Sequence, residues 1–565
     1  MDDFAPTEDM TAPLRPPAQV MRLARLGANF PSRISFLRTL IRRLHTENAI
    51  IQRPIWDIDA NGFGRAVYTV RLNGRAYSLV AFSQDIPQDQ RSDRVIAEQW
   101  DTGFALFDGI PEIADLDRLQ ANVPLQEAGR CTPRELVLSR ANKSVRLFNH
   151  VVDALSRGKQ PDPKKINDTG YLMRTTAVYG NGKFGIADRV KIADRPELSG
   201  PFQAEMLTVW LIRGFSHDLV EHIALARAPD QAVPLAPDLK RHLGIGNATG
   251  LGMAPFLVHH PILLHNWIAA RETALSRIRA HSKVGSEEFE RFQQELARAV
   301  DHADSWQVDD ILQQDRITQL RSDLAKLTVL VDSTSRHAPY FWEGLVHAAG
   351  SYGIEAQECL VALILEPHGA EIDYLADQMA SDIEPRLEPQ MSVRALMRRV
   401  RQDYSWALQI DFTDPAETAQ FWYVSEEKQE PRLGDRQSEP GAELEMPLDI
   451  ARQVQDLAQV LSETPATLNV AEFLLGRPDL RHIVRRVQTV ARYPYGEIRD
   501  NLISDRCRPI DLLRCKLGFF GATKFDPKSD RWTRVTLFQG APLRDEIIDC
   551  DPDAWGFATM PQQSA

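Results

Sequence analysis

Cysteine is scarce in this 565-residue chain: Cys131, Cys359, Cys507, Cys515 and Cys550 are the whole set, and no two form a C-x-x-C pair. An odd, sparse set without that spacing supports neither a disulfide framework nor a zinc ribbon, so reduced thiols in a cytoplasm are the expectation. Long apolar runs are also missing. Charge interrupts every hydrophobic segment well before the roughly 18–20 residues that a membrane span needs. Residues 1–19 carry Asp2, Asp3, Glu8 and Asp9 without an apolar stretch, unlike a secretory or mitochondrial leader. Positive charge is in deficit, with 66 Lys and Arg against 78 Asp and Glu and a net charge of −12. That balance argues against nucleic-acid binding as the bulk role, although a local basic patch is compatible with it. The chain also lacks a G-x-S-x-G nucleophile elbow, H-E-x-x-H, a Walker A loop, a kinase motif set and an EF-hand run.

What is present is ordinary for a globular protein with a large core: 43% hydrophobic and 25% charged residues. The length allows about two to four domains. The pattern predicts a mostly α protein of the α+β class, with a multi-helical body, a small N-terminal antiparallel β meander and a loop-rich C-terminal region. Its divisions are a Pro-rich mobile tail over 1–19, an α+β region over 20–130, a helical core over 131–424, a polar linker over 425–447, and a helical, loop-rich region over 448–565.

Apolar residues at Ile34, Leu37, Leu40, Ile41 and Leu44 recur at helical spacing, with Arg33, Arg38, Arg42 and Arg43 on the other faces as a solvated basic surface. Two apolar-rich runs then flank Asn73-Gly74, the dipeptide suited to a two-residue type I′ turn. A third strand is expected within residues 94–109. Thr132-Pro133-Arg134-Glu135 has the form of a helix start, with a cap, Pro at the first position and Glu at the third, and predicts a helix running to Gly158.

Two Gly-rich segments are the best candidates for chemistry. In the first, Gly180, Gly182 and Gly185 form G-x-G-x-x-G after a strand-like run, with Lys183 inside and Arg174 before it. Glycines bring backbone N–H groups close to an anion and Lys adds charge, but the βαβ alternation of a dinucleotide fold is missing. In the second, Gly244, Gly246, Gly250 and Gly252 enclose Asn247 and Thr249, and His259 and His260 precede Pro261. A helix starting there would offer N–H donors to an anion and keep the imidazoles neutral. The competing reading is that these glycines permit close packing.

A third segment carries His217, Asp218, Glu221 and His222 on one helix. The two His are five apart, about 140° around the helix at 100° per residue, which splays them too far to share a metal. The i,i+4 pairs His217–Glu221 and Asp218–His222 suit ion pairs or an oriented acid/base His. A fourth, Arg- and Lys-rich region near Lys524–Arg534 reads as solvated loop.

The functional expectation is a soluble cytoplasmic enzyme. It binds a small anionic carboxylate or phosphate through Arg174, Gly180, Gly182, Lys183, Gly185, Gly246, Asn247, Thr249, Gly250 and Gly252, with His259 or His260 as general acid or base. The alternative is a non-catalytic helical interaction or regulatory protein. No cofactor is identified, no metal, nucleic acid or membrane span is expected, and a homo-oligomer is compatible with the sequence.

Overall fold

In a computed structural model, the described residues are 11–26, 32–85, 100–122, 132–180, 194–200, 202–250, 257–258, 260–306, 311–375, 387–413, 422–425, 431–433, 445–447, 450–499, 516–521, 524–527 and 532–557. The chain is α+β and mostly helical. It divides into two compact units, each built from three segments rather than from consecutive blocks. A helical unit comprises Met1–Ala28, Gly250–Gln293 and Ser322–Cys515, and a sheet unit comprises Asn29–Thr249, Gln294–Arg321 and Lys516–Ala565. Among the described residues no helix is long and apolar enough to cross a membrane.

The expected meander is the start of a nine-stranded sheet. Strands β1 (Ile50–Ile58), β2 (Gly64–Leu72), β3 (Arg75–Ser83), β4 (Thr102–Asp108), β5 (Glu135–Lys143) and β6 (Tyr171–Gly180) follow one another as antiparallel neighbours. A long helix, Gln203–Arg227, lies in the crossover to β7 (Gly244–Gly250), which is parallel to β6. The C-terminal strand Trp532–Leu537 adds beside β7, and Lys524–Pro527 closes the far edge. The β2–β3 turn is at Asn73-Gly74, with φ of 45° and 82°, the left-handed pair that a type I′ turn requires.

Both faces of the early sheet are covered, which is why β2 and β3 are buried almost throughout instead of alternating. On one face, Val67, Val80, Phe82, Ala105 and Phe107 pack with Leu116 and Leu119 of the helix Ile113–Asn122. On the other, Phe215 of the long helix meets Trp56, Tyr68 and Phe104 at centroid distances of 5.9, 6.5 and 5.5 Å. Fully burying one such ring contributes about 1.5–3 kcal/mol.

Several local expectations are corrected. Residues 135–143, expected to be helical, form β5, and the helix begins only at Phe148. Thr132 and Glu135 do make cap-like contacts, the Thr132 N–H donating to the Glu135 carboxylate. Pairing of β5 with β4 and β6 then overrides the local helix signal. The polar 425–447 segment carries a small antiparallel sheet built from Trp422–Ser425, Pro431–Leu433 and Glu445–Pro447.

The arginines of the helix Phe36–Thr46 are not a solvated face either. Arg33, Arg42 and Arg38 converge on Asp553 at 2.8, 2.9 and 3.5 Å. Those three guanidiniums hold the Asp553 carboxyl far below the usual carboxylate range despite its burial.

Within the described part of the N-terminal segment, the Ala12 N–H donates to the Ser276 carbonyl at 3.1 Å. Arg15 donates to both oxygens of Glu272, at 2.8 Å each, and to Glu358 at 2.9 and 3.2 Å. Arg25 reaches Glu358 at 3.1 Å and Arg271 reaches Glu272 at 2.9 Å. Burial alone would raise both carboxyls, but the guanidiniums win and hold them below their ordinary values. Replacing Arg15 by Ala leaves two buried carboxylates with Arg25 and Arg271 alone, and a loss of about 3 kcal/mol is expected. Urea unfolding followed by tryptophan fluorescence measures it, and an unchanged midpoint would refute the anchor.

Candidate functional site

The two Gly-rich segments start from neighbouring strands. β6 and β7 are parallel and register Arg174 with Gly246 and Thr175 with Asn247, so both strands run in the same direction into the Gly-rich segments. Gly182, Lys183, Gly185, Gly252 and His259 lie outside the described residues. The backbone of Gly244–Gly250 is strand, not the expected loop. Thr175 and Asn247 share one face and are joined by an Asn247 Nδ2 to Thr175 Oγ1 hydrogen bond of 3.2 Å. Arg174, one residue away in an extended strand, is buried on the opposite face. The strand therefore separates Arg174 from Asn247 instead of gathering them.

The glycines of β7 have a packing reason. A Cβ on Gly246 would sit 2.8 Å from the Tyr171 ring, and one on Gly244 would sit 2.6 Å from the Thr536 methyl. His260 directly precedes the helix Pro261–Arg279, as expected, but its side chain does not cap that helix.

The site with the clearest chemistry lies elsewhere in the sheet unit. A cavity of about 220 Å³ is lined by Tyr68 of β2, by Trp210, Arg213, His217 and Asp218 of the long helix, by Lys240, and by Leu543–Glu546. Its frame is Arg213, fully buried, whose guanidinium donates to five backbone carbonyls. These are Leu243 at 2.8 Å, Lys240 at 3.3 Å, Arg241 at 3.0 Å, Ala541 at 2.7 Å and Pro542 at 2.9 Å. Burial brings its pKa down to about 9, so it stays charged at neutral pH.

His217 is 4% exposed, and its Nε2 has no hydrogen-bond partner. Desolvation first, then the charges of Arg213 and Lys240, push its pKa well below the ordinary histidine value, with a backbone hydrogen bond at Leu243 opposing them. The ring is neutral at physiological pH. The carboxylates that balance the cavity are held by other groups. Asp218 accepts from the Tyr68 hydroxyl at 2.6 Å, from Arg53 at 2.7 Å and from Arg544 at 2.5 Å. Glu546 pairs with Arg241 and accepts from the Leu543 N–H at 3.0 Å. The potential at His217 is consequently positive.

The helix spacing explains the rest of the segment. His222, splayed from His217, accepts from Trp56 Nε1 at 3.2 Å and lies 2.8 Å from the Asp59 carbonyl. Glu221 pairs with Lys240 at 2.7 Å. Neither i,i+4 pair is made: Lys240 takes Glu221, Tyr68, Arg53 and Arg544 take Asp218, and Trp56 engages His222. Among the described residues no group of His, Cys, Asp and Glu is arranged to hold a metal. The sequence offers His217 as a candidate, but Arg213 and Arg544 give no local signal, and the Leu543–Glu546 wall is some three hundred residues away in the chain.

Comparison of the chain with protein-family models, with curated proteins and with solved structures returns no match.

Two outcomes are expected from this geometry. A Gly246→Ala substitution drives a methyl into the Tyr171 ring and is expected to cost about 1–3 kcal/mol; a thermal melt indistinguishable from wild type would refute the packing role. Labelled-imidazole NMR should show His217 remaining neutral as pH falls through 6.5, where an unfolded histidine takes up its proton. The unfolded chain then binds more protons than the native one, so this site loses stability as pH drops below about 6.5. His217→Gln removes that loss, and its melting temperature should decline less steeply than wild type on the acid side.

Proposed function

We propose that the sheet unit is an enzyme acting on a small hydroxyl-bearing anion, a carboxylate or phosphate, with His217 as the proton acceptor. The observation that carries this reading is that His217 lines a cavity and its buried Nε2 has no hydrogen-bond partner. A polar atom in that position has a desolvation cost that a ligand hydroxyl would remove. The hydrogen bond at Leu243 engages the other ring nitrogen and favours its N–H form, which leaves Nε2 as an acceptor.

The chemistry then proceeds in simple terms. A substrate O–H donates to Nε2, and the proton passes to the ring as negative charge grows on oxygen. Arg213 and Lys240, which disfavour the imidazolium in the empty cavity, favour that oxyanion. The carboxylate or phosphate of the ligand offsets the same positive potential, raising the basicity of His217 when the site is filled. Tyr68 and Arg544 hold Asp218 in place at the cavity wall. The volume suits a compact metabolite rather than a dinucleotide. The paucity of cysteine, with Cys359 and Cys550 free, fits work in a reducing cytoplasm.

A thermal-shift screen with short hydroxycarboxylates and sugar phosphates tests the proposal on the full chain. At least one member should raise the melting temperature of wild type at pH 7.5 and undergo turnover. His217→Gln, with its own melting temperature near wild type, should lose turnover by about 10²-fold or more, as removal of a general base does. Equal turnover in the two proteins, or no member that binds, would overturn it.

A further inference from the structure

A different feature stands in the helical unit. The helices Val393–Asp403 and Arg481–Arg492 pack against one another. Together they hold eight arginines and a single acid, Asp403, in a chain whose net charge is −12. Their inner faces are apolar: Val393, Leu396 and Val400 on the first, Ile483, Val484, Val487 and Val490 on the second. Arg486 belongs to that interior, bonded through two nitrogens to Glu497 at 2.7 and 2.8 Å.

The outer faces are uniform. Every exposed position of the first helix is Arg394, Arg398, Arg401 or Gln402, and every exposed position of the second is Arg481, His482 or Arg492. Arg394, Arg398 and Arg401 are spaced i, i+4, i+7 and form one stripe. Among the described residues neither that stripe nor Arg481 has an ion-pair partner. The basic edges of the two helices meet at Glu388, whose Oε1 is 3.1 Å from Arg399 and 2.9 Å from Arg492. The helices are also fixed locally. Ser392 caps the first, and the Val393 N–H donates to the Leu468 carbonyl at 2.8 Å.

We infer that this face binds the phosphodiester backbone of a nucleic acid. A protein partner needs a buried apolar or aromatic centre in its interface, and no exposed apolar residue lies on either helix. Phosphates need only cations and hydrogen-bond donors in register, and guanidinium supplies both in a planar fork. The chain's net negative charge, which argues against nucleic acid as the bulk role, is an average that this concentration of arginine escapes. Helix packing fixes the stripe, so its arginines meet a backbone without ordering a loop first.

The test uses the full chain and fluorescence anisotropy with labelled single-stranded RNA, single-stranded DNA and duplex DNA, which separates the three sources of the same phosphate chemistry. The triple variant R394Q/R398Q/R401Q keeps good helix formers at exposed positions, and circular dichroism checks that it folds. Wild type should bind at 50 mM salt, and the variant at least tenfold more weakly. The slope of log affinity against log salt should become shallower by about 2–3, because each phosphate left without its arginine removes roughly 0.7–0.9 from it. His217→Gln should bind nucleic acid like wild type, so the outcome is independent of the cavity. Absence of binding at 50 mM salt, an unchanged salt slope in the triple variant, or capture by phosphatidylserine vesicles but not by any oligonucleotide would overturn the inference.

Discussion

The sheet unit depends on one buried cation. Arg213 is planted in the middle of the long crossover helix, and its three nitrogens meet five carbonyls from two stretches, residues 240–243 and 541–542. The Lys240 and Arg241 carbonyls also accept from the Leu243 and Gly540 N–H groups, so the guanidinium adds to the backbone bonding there. Taking a full charge out of water is costly, and the drop in its pKa to about 9 expresses that cost. What the cost sustains is a fixed distance between the helix, the entry to β7 and the C-terminal segment. The cavity is the space that this spacing leaves open, and His217, one helical turn on, lines it with its Nε2 buried and unpartnered.

Buried charge recurs as a device elsewhere in the chain. Asp553 gathers Arg33 and two arginines of the helix Phe36–Thr46, while Arg15 bridges Glu272 and Glu358 within the helical unit. Tyr404 and Arg486 meet on Glu497. The first two clusters tie segments hundreds of residues apart and the third joins residues up to 93 apart, in a protein with few cysteines. Such clusters contribute little net stability over well-packed apolar groups, but removing one member leaves the others uncompensated. Their effect here is to select partners: a terminal segment that could dock in many apolar registers has one position in which its arginine is neutralised.

The parts of the fold that are legible in the sequence are those decided locally. Asn73-Gly74 specifies its hairpin because both residues tolerate positive φ, and no distant contact is needed. The helices at 203–227, 261–279 and 481–492 show their periodicity directly. Thr132–Glu135 shows the limit of that reasoning. Its cap chemistry forms, yet Leu136, Val137 and Leu138 continue into a strand because β4 and β6 stand on either side to receive them. Gly244–Gly250 has the same lesson in reverse. A run of glycines with Asn and Thr has the composition of a ligand loop, but two of its glycines are small because Tyr171 and Thr536 occupy the space a side chain would need.

The candidate site is half legible, for a reason that lies in helix geometry. A separation of five residues splays His217 and His222 by about 140°, and that splay excludes a shared metal. The same splay sends the two rings into different environments. His222 reaches the β1 side, where Trp56 and Asp59 satisfy it, while His217 enters the cavity beneath Arg213 and Lys240. The spacing is visible in the sequence, but the environment that distinguishes the two histidines is not. It is assembled from β2, from the short helix Pro237–His242 and from Leu543–Glu546, and only the folded chain brings these to one helix face. A histidine becomes a candidate base through what surrounds it. Here burial first, and then the charges of Arg213 and Lys240, disfavour its protonated form.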